Sequence, residues 1–112
     1  MCQTVGVVYR ITCKACGQFY IGETGRPLHA RIQEHVRCIR SPTLPSYCDS
    51  PWAKHRVSVH SLTHVDVSVA VEYVIRDTVK RKIAEAHLIR TLQPTINCRD
   101  EMRKALQLIG LR

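Results

Sequence analysis

Two sets of residues in this chain have types and spacings suited to chemistry. The first is a metal-ligand set. Cys13 and Cys16 stand at a C-x₂-C spacing, with Gly17 behind them to let the turn tighten, and His55 and His60 form an H-x₄-H pair. Structural zinc sites close a tetrahedron from thiolate and imidazole pairs at such spacings. His64 stands as an alternative to His60, and a four-cysteine site drawing on Cys48 is a second alternative. Otherwise Cys2, Cys38, Cys48 and Cys98 show no ligand spacing. The second set is Tyr9, Tyr20, Arg31, His35, Glu85 and Asn97. Cleaving a phosphodiester needs an activated water, neutralisation of the transition-state charge and help for the leaving oxygen. A carboxylate such as Glu85 can hold Mg²⁺ (or Mn²⁺), which keeps most of its waters and takes one or two carboxylates. A guanidinium such as Arg31 is permanently charged and matches phosphate oxygens with two donors.

The composition sets the frame for both sets. The chain has 112 residues, one domain's length, with 17 Lys and Arg against 9 Asp and Glu, a formal charge of +8. A composition 23% charged and 45% apolar is neither disordered nor fibrous. No apolar run is long enough to span a bilayer and no signal-peptide pattern opens the sequence, so the expectation is an intracellular protein with no membrane partner. Cysteines in that setting bind metal more often than they form disulfides. The positive excess points to a polyanion, with nucleic acid first. Arg10, Lys14, Arg26, Arg37, Arg40, Lys80, Arg81, Lys82, Arg90, Arg103 and Lys104 are spread along the chain, which suits contacts to a phosphate backbone.

The elements that must position these residues can be read from periodicity. Residues 5–12 alternate with β-branched content and predict a strand, residues 13–17 a tight knuckle, and residues 18–23 a second strand pairing antiparallel with the first. Tyr9 and Tyr20 then lie on adjacent strands. Residues 27–39 predict a helix with Leu28, Ile32, Val36 and Ile39 on one face and Arg31 and His35 beside it. Three prolines make residues 41–51 a loop, and a short helix is expected over 51–57. Residues 65–75 predict the third strand. A long helix capped by Asp77 or Thr78 runs to about residue 93, with Glu85 inside the stripe formed by Leu88, Ile89 and Leu92, and Pro94 ends it. Residues 95–97 continue extended, and a last helix over 101–108 is the least defined.

Val7-Val8-Tyr9 followed by Tyr20-Ile21-Gly22 resembles the paired tripeptides of the GIY-YIG nuclease superfamily. Arg31 and His35, in ARIQEH, resemble its helical arginine motif. Residues 85–97 (EAHLIRTLQPTIN) are similar to its glutamate helix, proline and terminal asparagine. The likeness covers about residues 6–97, in order. It departs at Val7, where the family name has Gly, and at Glu23, where some members carry lysine. The C-x₂-C pair between the tyrosine motifs, the later histidines and the wording IGETGRPLHARIQEH look like the endonuclease domain of Penelope-like retroelements, whose module carries a Cys-Cys-His-His insertion.

The resemblance implies an α+β fold: a small three-stranded antiparallel sheet flanked by helices, with an inserted zinc site. Residues 1–112 would form one domain, with its core at about 6–97 and residues 98–112 as an extension. It further implies a Mg²⁺-dependent DNA endonuclease that nicks, used in transposition, acting in the nucleus and normally beside a reverse transcriptase domain. In that scheme Tyr9 takes the proton from water and Tyr20 orients water or phosphate. Arg31 holds the scissile phosphate, and His35 donates to it or assists the water. Glu85 holds the metal, and Asn97 orients Glu85 or a neighbouring backbone. Zinc on Cys13, Cys16, His55 and His60 would supply on the order of 10 kcal/mol of folding free energy to a small core. Two other readings stay open: an inactive zinc-stabilised nucleic-acid-binding module derived from such an element, and a protein-interaction domain using the loop and exposed helices.

Overall fold

Strands β1 (Val7–Cys13) and β2 (Phe19–Thr24) form the predicted hairpin, with Tyr9 opposite Gly22 and Ile11 opposite Tyr20. Cys13 closes β1 and does not belong to the knuckle. Its N–H donates to the Gln18 carbonyl at 2.8 Å, and its own carbonyl accepts from Gly17 at 2.8 Å. Gly17 turns the chain there with φ +79°, a conformation that costs a residue without Cβ nothing. The structure, a computed structural model, describes residues 4–61, 63 and 65–97. His64 and the helix expected over 101–108 lie outside them.

Strand β3 (Val67–Val74) pairs antiparallel with β1 on the other side, giving the order β2-β1-β3. Its register slips between Val8 and Tyr9, which face Tyr73 and Val71, so Glu72 is the extra residue of a β-bulge. Glu72 meets Arg10 at 2.6 Å, and the Arg10 guanidinium lies over the Phe19 ring.

The helices cover the two faces of the sheet. Helix α1 (Leu28–Arg40) starts after Pro27 and buries Leu28, His35 and Ile39. Residues 41–50 run through successive turns. Ser50 then caps α2 (Pro51–Ser58) by accepting from Ala53 N, and Pro51 suits its first turn. Val7, Tyr9, Ile11, Cys13 and Tyr20 pack with Leu28, Ile39 and the fully buried Trp52 on this side. Helix α3 (Thr78–Leu92) lies on the other face, where Val8 and Ile21 pack against Ala86 and Ile89. Asp77 caps it by accepting from Lys80 N at 2.9 Å, and Gln93, at φ 47°, ends it ahead of Pro94. Leu92, predicted to face the core, is 36% exposed. The described residues thus form an α+β domain on a three-stranded antiparallel sheet. None of its helices is long and apolar enough to cross a membrane.

Candidate functional site

The metal-ligand set converges. The end of β1 supplies Cys13, the knuckle supplies Cys16, α2 supplies His55, and the turn after α2 supplies His60; their ligand atoms all lie within 4.8 Å of one another. Cys13 Sγ is 3.4 Å from His60 Nε2, Cys16 Sγ is 3.5 Å from His55 Nε2, and the two Nε2 atoms are 3.1 Å apart. Metal bonds of about 2.3 Å to sulfur and about 2.0–2.1 Å to nitrogen give tetrahedral edges of about 3.6 Å between S and N and about 3.3 Å between two N. The observed separations are close to those edges, so the cluster could hold a metal and suits zinc. Burial, and then the neighbouring His60, push the His55 imidazole below its usual range. That keeps it neutral, the form that ligates. Trp52 packs edge-on against His55 at 5.6 Å between centroids and limits where the ring can turn.

Four of the second set, Tyr9, Tyr20, Arg31 and His35, gather on the α1 face of the sheet. Tyr9 is fully buried, Tyr20 nearly so, and their rings lie 6.4 Å apart. His35 sits between them: its Nε2 is 2.8 Å from Tyr9 Oη, and its ring meets Tyr20 edge-on at 5.0 Å. There is room for this only because position 22 is glycine. A Cβ there would come 2.5 Å from Tyr9 Oη and 2.8 Å from Tyr20 Cε1.

The electrostatics of this cluster are strongly perturbed. Burial raises the Tyr9 phenol above its ordinary range. The charge and hydrogen bond of Arg31 oppose that, while the carboxylates of Glu85 and Glu23 add to it. Burial, followed by the Arg31 charge, holds His35 down at about 3, so its imidazole is neutral at neutral pH. Glu85 on α3 is half-buried and reaches this cluster through its charge. Arg31 Nη1 donates to Glu34 at 2.8 Å.

Asn97, after α3, lies against β2. Its Oδ1 accepts from Ile21 N at 3.0 Å and its Nδ2 donates to Ile21 O at 2.9 Å, so one amide imitates a paired strand and fastens the chain after α3 to the YIG segment. These bonds engage a neighbouring backbone, one of the two roles expected of Asn97. His35, expected to donate to phosphate or assist the water, bonds Tyr9 and is 6% exposed.

Sequence reasoning missed three partners. Arg81, read as a surface cation, is 4% exposed and donates from Nε to Glu23 at 2.6 Å and from Nη1 to the Ile75 and Arg76 carbonyls. Burying a guanidinium requires such a partner, and Glu23 supplies it. Arg10 is likewise engaged with Glu72, and Arg26 with Glu34, so these three are not simply disposed along a basic surface. Only Glu34 carried a local signal, the i,i+3 spacing from Arg31. The other pairs span the fold. Compared with known proteins, the chain matches no family model, no curated protein and no solved structure.

Proposed function

We propose that this chain is a metal-dependent DNA endonuclease of the GIY-YIG type, similar to those of Penelope-like retroelements. It would nick DNA in the nucleus, beside a reverse transcriptase domain in the parent element. The observation that carries the reading is the convergence of Tyr9, Tyr20, His35 and Arg31 on one face of the hairpin, with the Glu85 charge acting on Tyr9. Zinc on Cys13, Cys16, His55 and His60 is structural in this reading, because all four positions of a tetrahedron are taken by protein.

Glu85 is a half-buried carboxylate whose charge acts on Tyr9, and in this reading it is the one protein ligand that would hold Mg²⁺, with water filling the other positions. Bound there, Mg²⁺ would neutralise phosphate charge and acidify water. Arg31 binds the scissile phosphate. Tyr9 takes the proton of the attacking water as its own hydroxyl proton passes to His35 Nε2, so no tyrosinate has to form in advance. Burial is the larger reason His35 is a weak acceptor, and phosphate at Arg31 would relieve only the smaller part that comes from the arginine charge. Tyr20 lines the same face and orients the water.

The test is nicking of supercoiled plasmid with Mg²⁺ and with EDTA. Glu85→Ala should slow nicking by about 10²–10⁴-fold, the usual size for loss of one catalytic group. Equal rates for Glu85→Ala and the parent would refute the assignment. Salt-dependent plasmid binding with no Mg²⁺-dependent nicking would instead identify an inactive nucleic-acid-binding module.

A further inference from the structure

The reading above gives Arg31 the phosphate alone, yet the structure places a second arginine and an anion around it. Arg26 lies in the turn before α1, where its N–H donates to Thr24 Oγ1 at 3.1 Å. Its guanidinium forks onto Glu34, Nη1 to Oε2 at 3.0 Å and Nη2 to Oε1 at 2.9 Å, while Arg31 Nη1 reaches the same Oε1 at 2.8 Å. One carboxylate is therefore held by two arginines, with both oxygens bonded. A phosphodiester presents the same pattern to donors, two non-bridging oxygens sharing one negative charge. The side chains of Arg26 and Glu34 are 58% and 35% exposed, so either can swing into solvent, whereas Arg31 is tied to the Tyr9 cluster. Hydrogen bonds from Arg26 and then Arg31 hold the Glu34 carboxyl at about 2, so it is an anion wherever the protein would work.

We propose that Arg26 and Arg31 form a two-arginine clamp for a phosphodiester phosphate, and that Glu34 occupies the clamp until that phosphate displaces it. The inference rests on the reading of this face as a phosphate site. It adds Arg26 as a second phosphate-binding residue and Glu34 as a built-in competitor. DNA binding must break three hydrogen bonds to Glu34, which favours tightly held backbone over small anions. A brace that merely steadies the start of α1 would use the same bonds but would not compete with ligand.

The test uses the zinc-loaded full chain without Mg²⁺ and a fluorescein-labelled 20-base-pair duplex followed by anisotropy. Glu34→Gln should bind about tenfold tighter, because a neutral amide is a weaker occupant than a carboxylate. Its slope of log K against log salt should also steepen by roughly 0.9, the value for one more neutralised phosphate. In the Glu34→Gln background, adding Arg26→Ala should weaken binding about tenfold, and adding Arg37→Ala, an exposed arginine on the same helix, about threefold or less. Where the parent chain binds the duplex, unchanged or weaker binding by Glu34→Gln, or equal losses for Arg26→Ala and Arg37→Ala, would overturn the clamp. Inorganic phosphate is the second probe, read by the ¹⁵N shifts of the arginine Nε groups. If Glu34→Gln shows Arg26 and Arg31 responding with one shared affinity while the duplex does not bind, the clamp stands and the endonuclease reading fails. If neither arginine responds, the clamp fails whatever the duplex does.

Discussion

Gly22→Ala isolates the dependence of the tyrosine cluster on one missing methyl group. The added Cβ would sit 2.5 Å from Tyr9 Oη and 2.6 Å from Tyr9 Cζ, far inside van der Waals contact. The Tyr9 ring cannot simply turn away, because it is fully buried and its hydroxyl is bonded to His35 at 2.8 Å. Overpacking of this kind costs about 1–3 kcal/mol, and loss of the buried hydrogen bond about 1 kcal/mol more. The lower backbone entropy of alanine in the unfolded chain returns about 0.4–1 kcal/mol. The net loss is then about 1–3.6 kcal/mol, or roughly 4–14 °C in Tm for a domain of this size. Thermal unfolding by circular dichroism in excess zinc measures it. In a Tyr9→Leu background, which removes the ring tip, the same substitution should cost no more than half as much, a coupling read from the double-mutant cycle. A Gly22→Ala protein that melts within about 2 °C of the parent would show that the tyrosine does not depend on the glycine, and the packing argument would be wrong.

Two further outcomes follow from the buried imidazole and from the metal cluster. His35 has a native pKa of about 3, against an ordinary 6.5, so below pH 6.5 the unfolded chain binds the proton and the folded chain does not. Its contribution is therefore complete above pH 6.5 and is lost as pH falls toward 3. The stability gap between parent and His35→Gln should shrink by up to about 1.4 kcal/mol per pH unit in urea titrations, and a gap constant from pH 7 to 5 would refute this. For the metal, elemental analysis should find about one zinc per chain, and Cys13→Ser or a strong chelator should abolish cooperative unfolding, since structural zinc supplies folding free energy directly. A chain that carries no zinc and unfolds identically with chelator would remove the metal from the account.

What was legible in the sequence was local. The C-x₂-C turn, the Asp77 cap, the Pro94 stop and the alternation of β1 and β2 each depend on neighbours within a few residues, and each has a physical signature at that range. What was illegible depended on partners far along the chain. Nothing near Arg81 distinguishes it from the exposed Lys80 and Lys82; its burial follows from Glu23, 58 residues away. Val69 and Val71, which alternate along β3, are 41% and 42% exposed, because alternation reports which residues share a face and not what covers it. In α3 the stripe held for Ile89, which is buried, and for Leu88, which packs beside it, but Leu92 is exposed. Ala86, buried with Ile89 against Val8 and Ile21, was missed because a small residue carries little periodic signal. Glu23 stands where some nucleases of the resembled family carry lysine. Its carboxylate ties β2 to α3 through Arg81, so this position is spent on packing a helix.

The metal cluster and the tyrosine cluster belong to one closed mechanical circuit. Cys13 and Tyr9 lie on the same face of β1, four residues and about 13 Å apart. From Cys13 the circuit crosses the cluster to His55 on α2. The next residue, Arg56, donates to the Ile39 carbonyl at 2.6 Å and the Arg40 carbonyl at 3.1 Å, holding the C-terminal end of α1. Helix α1 carries Arg31 and His35, and His35 returns to β1 through the Tyr9 hydroxyl. Trp52, fully buried from α2, fills the space between these links. A metal at the cysteines would therefore fix the angle at which α1 presents His35 and Arg31 to Tyr9, even though no ligand of that metal touches the tyrosine.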